Sequence, residues 1–340
     1  MAGFEPAGEP ALSAAASHAL DRDDLHWPSL THPGSIVWPV VLALGPERRL
    51  IAAAAGYETT ARLALAVGVS HRRYWHATAT AGTIGAAVAA ALALGLDEDG
   101  VAGAAGHAIS VASGSIQCVL ERSRTVVFHR AHAAVTGLNA ARAAAAGLDA
   151  TRVGLEAERG FFAATAPGVD PEDVLARRDR LAIEELTFRF YAGTGFAHAA
   201  IDAALALAPV EPEAVSSIEL RLPAAAAALA GGLEPDDALE AWWSAPLAVA
   251  AALAGREPTE PPASDDPVLR ALLGKTSVAA HEDPASTVAV DGRSATRLVH
   301  KGHHEDPLSD EELVVKWRLL NPEVDPPLHL LESDGELSLR

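Results

Sequence analysis

Three groups of residues in this chain have the types and spacing to move protons next to a carboxylate. The first lies on a loop of acids and turn formers, Asp21-Arg22-Asp23-Asp24-Leu25-His26-Trp27-Pro28, which runs on to Thr31-His32-Pro33-Gly34-Ser35. Asp21 and His32 offer a carboxylate beside an imidazole, a pairing in which each group fixes the protonation of the other. The second is Trp75-His76-Ala77-Thr78-Ala79-Thr80, where a histidine and two threonines directly precede an apolar segment. The third, Arg124, His129 and Arg130, falls in a polar run at 121–130. Guanidinium groups hold carboxylates through paired hydrogen bonds. A base, an acid and carboxylate-binding cations are what a reaction at such a carbon requires.

The elements that must position these groups are mostly helical. Pro33 suits the first turn of a helix that carries the apolar run at 36–44, because its missing N–H is one that a helix start does not need, and this places His32 at a helix mouth. Residues 82–94 are apolar on every side and read as a buried helix, with Gly82 and Gly85 allowing close approach to its first turns. The short link Gly95-Leu96-Asp97-Glu98 makes a helix at 97–111 its antiparallel neighbour. Further helices are expected at 11–20, 47–67, where Glu58 and Arg62 can pair four residues apart, and 131–146, with 121–130 as a polar connection. Beyond residue 170 the pattern changes. Residues 216–223 alternate apolar and polar, 276–280, 286–290 and 295–299 are further strand candidates, and Asp291-Gly292-Arg293 is a turn between the last two. Helices at 196–207 and 246–254 lie among them, and Ser309 with Glu312 forms a capping box for a last helix. The expectation is a mainly α chain with a smaller α/β domain: a loose arm at 1–10, a helical domain at 11–184, the α/β domain at 185–304, a helix at 305–320 returning to the helical domain, and a surface tail at 321–340.

Composition removes several classes of function. A net charge of -19, from 45 acidic and 26 basic residues, argues against nucleic acid as a partner, since phosphate recognition needs a basic face. Only Lys275, Lys301 and Lys316 are lysines, and this acidic, alanine-rich make-up suits concentrated salt. A single cysteine, Cys118, rules out an internal disulfide and a cysteine-built metal site. No stretch reads as a membrane span, and the N-terminus has no basic cluster of the secretory kind. A soluble, cytoplasmic protein is expected.

Six motifs, in order, resemble the MmgE/PrpD family: His32-Pro33-Gly34, Gly56-Tyr57-Glu58, Trp75-His76-Ala77-Thr78-Ala79-Thr80-Ala81-Gly82, Leu94-Gly95-Leu96-Asp97, His198-Ala199-Ala200-Ile201-Asp202-Ala203 and Pro307-Leu308-Ser309. That family includes 2-methylcitrate dehydratase, cis-aconitate decarboxylase and an iminodisuccinate epimerase. The resemblance covers residues 11–320 and implies a large all-helical domain, an α/β lid, a site between them that uses neither metal nor organic cofactor, and a homodimer. It sets His32, and Asp21 after a one-residue shift, on the family's active-site histidine and aspartate, and His76 on the histidine of its Trp-His motif. The family's two active-site lysines fall on Val126 and Arg189. Thr194 and Leu247 stand where members with decarboxylase activity carry a histidine and a tyrosine.

The resemblance and the residues together give a definite expectation. His32 with Asp21 is the base and His76 the acid. Arg189, Arg124, Arg130 and His129 hold carboxylates, and Thr78 and Thr194 complete the binding site. The substrate is a small di- or tricarboxylic acid undergoing water elimination or epimerisation, with decarboxylation disfavoured. The missing lysines and the short N-terminus leave a second reading: a relative that has lost catalysis and acts as a binding or assembly protein.

Overall fold

A helix with no polar face must be covered on all sides, and residues 77–93 set the plan of the first half of the chain for that reason. The computed structural model describes residues 9–326 except 20, 46, 177–178, 233–234 and 236–237, and packing divides the chain into two units, Met1–Thr187 and Phe188–Arg340. The first unit holds α1 (Glu9–Ala19), β1 (Asp24–His26), α2 (Gly34–Ala43), α3 (Arg49–Arg72), α4 (Ala77–Ala93), α5 (Glu98–Val111), α6 (Gln117–Leu120), α7 (Thr125–Ala145) and α8 (Phe161–Thr165). Fourteen of the seventeen residues of α4 are buried, and α3, α5, α7 and α2 pack around it. Small residues make this possible. A side chain at Gly85 would collide with Thr60 Oγ1 and the Gly56 carbonyl of α3, so the two helices cross nearly backbone to backbone.

Two helices begin earlier than the sequence pattern suggests. α4 starts at Ala77, with His76 at the N-cap position, so Thr78 and Thr80 belong to its first turns. α7 starts at Thr125, and the expected polar connection at 121–130 is instead a short turn after α6 and the first turns of α7. Val126, Val127 and Phe128 are weak helix formers by themselves. Burial overrides this preference: Val127 and Ala131 pack on Ala11 and Ala15 of α1. α1 begins at Glu9, inside the expected arm, and residues 1–8 and 327–340 lie outside the described residues. α3 is long and apolar enough to cross a membrane by length and composition, but half of its apolar window is buried inside the fold and its path is broken at Gly68.

The second unit holds α9 (His198–Leu205), β3 (Ile218–Pro223), α10 (Ala224–Ala230), α11 (Ala238–Trp243), α12 (Ala245–Leu253), α13 (Pro267–Leu273), β4 (Thr276–His281), β5 (Ser286–Val290), β6 (Arg293–Arg297) and α14 (Asp310–Leu320); β2 (Leu186–Phe188), which pairs with β1, carries the chain into it. Its sheet has the order β4-β3-β5-β6, with β3 parallel to β4 and antiparallel to β5. The alternation in β3 turns Ile218, Leu220 and Leu222 into a core shared with α9 and α12. Asp291 and Gly292, both at positive φ, close the β5–β6 hairpin. Ser309 and Glu312 form both bonds of the capping box on α14. The sequence suggests that this helix returns to the helical domain; it groups with the second unit, where Lys316 Nζ donates to the Arg189 carbonyl at 2.8 Å.

Candidate active site

The loop at 21–33 is held in shape by Asp24. One of its carboxylate oxygens accepts the Gly34 N–H at 3.0 Å at the start of α2, and the other accepts a short hydrogen bond from the Tyr57 hydroxyl on α3. Burial, then the charge and hydrogen bond of Asp24, raise the Tyr57 pKa, so the phenol stays a donor. Gly34 has no room for a side chain, because a Cβ would meet the Tyr57 hydroxyl and both Asp24 oxygens. The anchored loop carries His32 and Asp23 to the end of α1, whose inward stripe of Ala11, Ala14 and Ala15 ends in His18.

Three side chains meet there. His18 Nδ1 lies 2.9 and 3.0 Å from the Asp23 oxygens, and His32 Nδ1 lies 3.5 Å from Asp23 Oδ2. The His18 and His32 rings are in edge contact with centroids 5.3 Å apart. His32 Nδ1 is also 2.9 Å from the Asp24 carbonyl, which only accepts, so this nitrogen carries a proton. Among the described residues, His18, Asp23 and His32 are the group that could hold a metal ion, with one ligand atom of each within 4.8 Å of the others. Their short contacts are equally those of a carboxylate hydrogen-bonded to imidazole. The backbone N–H of His32 donates to Thr78 Oγ1 at 3.3 Å, which ties the loop to the first turn of α4.

His76 occupies the N-cap position of α4, yet its side chain makes no cap hydrogen bond. It turns to α7 instead. Its Nδ1 is 3.0 Å from His129 Nδ1, and its Nε2 is 3.3 Å from Arg130 Nη1. His129 Nδ1 is in turn 3.7 Å from the thiol of Cys118, whose pKa burial raises. Arg130 is 1 % exposed. Burial, then the Arg130 charge, then His129, push the His76 pKa well below the ordinary imidazole value, and charges on His32 and His18 add to the effect. His129 is lowered to about 4 by burial and then by Arg130. The site therefore has two sides of opposite character: a carboxylate stands against His18 and His32, and a guanidinium against His76.

The structure brings together His32, His76, His129, Arg130 and Thr78 from the sequence expectation. Asp21 is at positive φ, and its carboxylate lies 3.8 Å from His18 Nδ1, while Asp23 lies closer to His18 and within 3.5 Å of His32. Arg124 is exposed at the start of α7. Arg189 and Thr194 lie in the second unit, both 2 % exposed, and Thr194 Oγ1 caps a short 3-10 turn there by accepting the Phe196 N–H. The Arg189 charge, after burial and the neighbouring imidazole, helps depress the pKa of His198. Leu247 is core in α12. His18 and Asp23 were not among the expected site residues: His18 reads as one residue of an alanine-rich helix, and Asp23 as one acid of three. Only the apolar stripe that ends at His18 marks it as facing inward.

Residues 8–173 match the family model described as the MmgE/PrpD N-terminal domain, and residues 191–327 match that of the MmgE/PrpD C-terminal domain. No curated protein matches the chain.

Proposed function

From the premise that the chain belongs to the MmgE/PrpD family, which includes hydro-lyases, we propose that it is a lyase or isomerase acting on a small di- or tricarboxylic acid by acid–base chemistry. The observation that supports this most directly is the opposition of charge across the site. An imidazole that stands against a carboxylate and another that stands against a guanidinium are suited to be one acid and one base.

The assignment of roles follows from the partners. Arg130 can only donate, so His76 Nε2 accepts; the depressed pKa keeps that ring neutral, and its Nε2 lone pair is open to a proton once the guanidinium turns to the substrate carboxylate. His76 is the base, the reverse of the role suggested by the sequence. His32, backed by the Asp23 carboxylate and by His18, is the proton donor to a departing hydroxyl or, in an epimerisation, to the opposite face of the carbon. Arg130 binds the carboxylate of the carbon that loses its proton, and so stabilises the negative charge that develops there. Thr78 holds the His32 backbone and serves position rather than chemistry. Arg189 is proposed as a carboxylate-binding cation of the second unit, where an arginine can hold an anion but cannot exchange protons near neutral pH. A homodimer, which the family resemblance implies, is part of the same proposal.

The test is the melting temperature of the purified protein with methylcitrate, citrate, aconitate and aspartate derivatives, in wild type and in Arg130→Gln. A ligand of the native state must raise the melting point, by an amount equivalent to about 2.7 kcal/mol at a hundredfold excess over Kd. An acid that stabilises wild type and not Arg130→Gln is the expected result. Equal shifts in both proteins, or none in either, would remove Arg130 from the binding site.

A further inference from the structure

His76 needs more than Arg130 to present a lone pair. If Nε2 accepts from the guanidinium, the ring proton is on Nδ1, and a buried Nδ1–H requires an acceptor. The group at that position is His129 Nδ1, 3.0 Å away. Two imidazoles joined through their Nδ1 atoms can share one proton at a time, so the Nδ1 of His129 is the bare nitrogen of the pair and its own proton is on Nε2. The fold keeps this contact in place. His129 and Arg130 are consecutive on α7, and both are held inward by burial on a helix packed along α4. The His76 backbone N–H donates to the Gly114 carbonyl at 2.8 Å, which fixes the start of α4 against the segment ahead of α6. Gly114, at positive φ, packs this segment closely on α4, since a Cβ there would lie 2.7 Å from Ala79 Cβ, and the His129 ring sits against it at ordinary contact distance.

We propose that His129 is a positioning residue that accepts the Nδ1 proton of His76 and so holds the Nε2 lone pair of His76 toward Arg130, where the substrate carboxylate and its neighbouring carbon come to rest. This rests on the reading of His76 as the base, but its first test does not depend on turnover. In protein labelled with 15N-histidine, His76, identified by the signal missing in His76→Gln, is expected at neutral pH to have a protonated Nδ1 and a bare Nε2, and His129 the reverse. A proton on His76 Nε2 would overturn the proposal.

Two variants separate positioning from packing. His129→Asn keeps an acceptor near the position of Nδ1 but fills less space, whereas His129→Phe fills the space and offers no acceptor. Positioning predicts that Asn retains the Nδ1–H form of His76 and stays within about tenfold of wild-type kcat, and that Phe falls a further tenfold or more with KM little changed. Circular dichroism checks that both are folded. If Phe matches or exceeds Asn in kcat, the role of His129 is packing and the proposal fails. A wild-type chain that shows the expected tautomers but turns over no carboxylic acid supports the histidine pairing and refutes the catalytic reading alone.

Discussion

Acidification should weaken the helical unit through His71, a histidine outside the candidate site. It sits in the last turn of α3 with no exposed surface, its Nε2 2.8 Å from Thr80 Oγ1 and its Nδ1 3.3 Å from the Thr165 carbonyl, between the rings of Trp75 and Phe161. A neutral ring with its proton on Nδ1 satisfies both contacts. Burial lowers its pKa from 6.5 to about 4. Because the folded value is the lower one, the unfolded chain takes up the proton first. The stability from neutral His71 is thus complete above pH 6.5 and is lost as the pH falls toward 4. At about 1.4 kcal/mol per pH unit, moving from pH 7 to about pH 4.5 should cost roughly 2–3 kcal/mol through this residue. Urea unfolding followed by far-ultraviolet circular dichroism, at both pH values, on wild type and His71→Gln, isolates the effect from that of the carboxylates. The variant should be weaker at pH 7 but should lose about 2 kcal/mol less on acidification. Equal losses in the two proteins would refute the assignment of a buried neutral His71.

Two further substitutions test the loop that carries His32. Gly34→Ala would press a methyl group into the Tyr57 hydroxyl and the Asp24 carboxylate, and should destabilise the first unit by about 2 kcal/mol or more in the same unfolding assay, while Gly232→Ala, where the added carbon meets nothing, serves as the control. Asp23→Asn keeps the shape but removes the charge behind His18 and His32, and should lower kcat by about 10²- to 10⁴-fold with an unchanged circular dichroism spectrum; a variant that keeps full activity would exclude Asp23 from the acid.

What could be read in the sequence depended on the range over which each signal acts. The apolar, alanine-rich run at 82–94 fixes a central helix, because no other arrangement covers it on all sides. The alternation at 216–223 and the capping box at Ser309 and Glu312 are complete within a few residues, and both appear in the structure. The start of α7 could not be read, since Val126 and Val127 are weak helix formers held there by packing against α1, while Phe128 beside them is exposed. The pairing of β1 with β2 joins three-residue strands about 160 positions apart, and no local period reports it.

The site was legible in part for the same reason. His32, His76 and the cations of α7 stand out by residue type. The choice among Asp21, Asp23 and Asp24 depends on the backbone: Asp21 takes a left-handed conformation, Asp24 turns to Gly34 and Tyr57, and Asp23 is left facing both imidazoles. The proposed reversal of acid and base rests on a single contact, Arg130 to His76, between residues 54 positions apart. Spacing along the chain does not encode it.

Elimination and epimerisation share one step, the removal of a carbon-bound proton beside a carboxylate, which is the step proposed for His76. The direct measurement is proton NMR of methylcitrate, citrate, aconitate and aspartate derivatives incubated with the protein in D2O, alongside His76→Gln and His32→Ala. Proton removal by His76 predicts, for at least one acid, deuterium incorporation at the carbon next to a carboxylate or formation of the unsaturated product, with both signals lost in His76→Gln and net conversion lost in folded His32→Ala. Exchange that persists in His76→Gln, or no exchange and no product with any acid in the folded wild type, would contradict it.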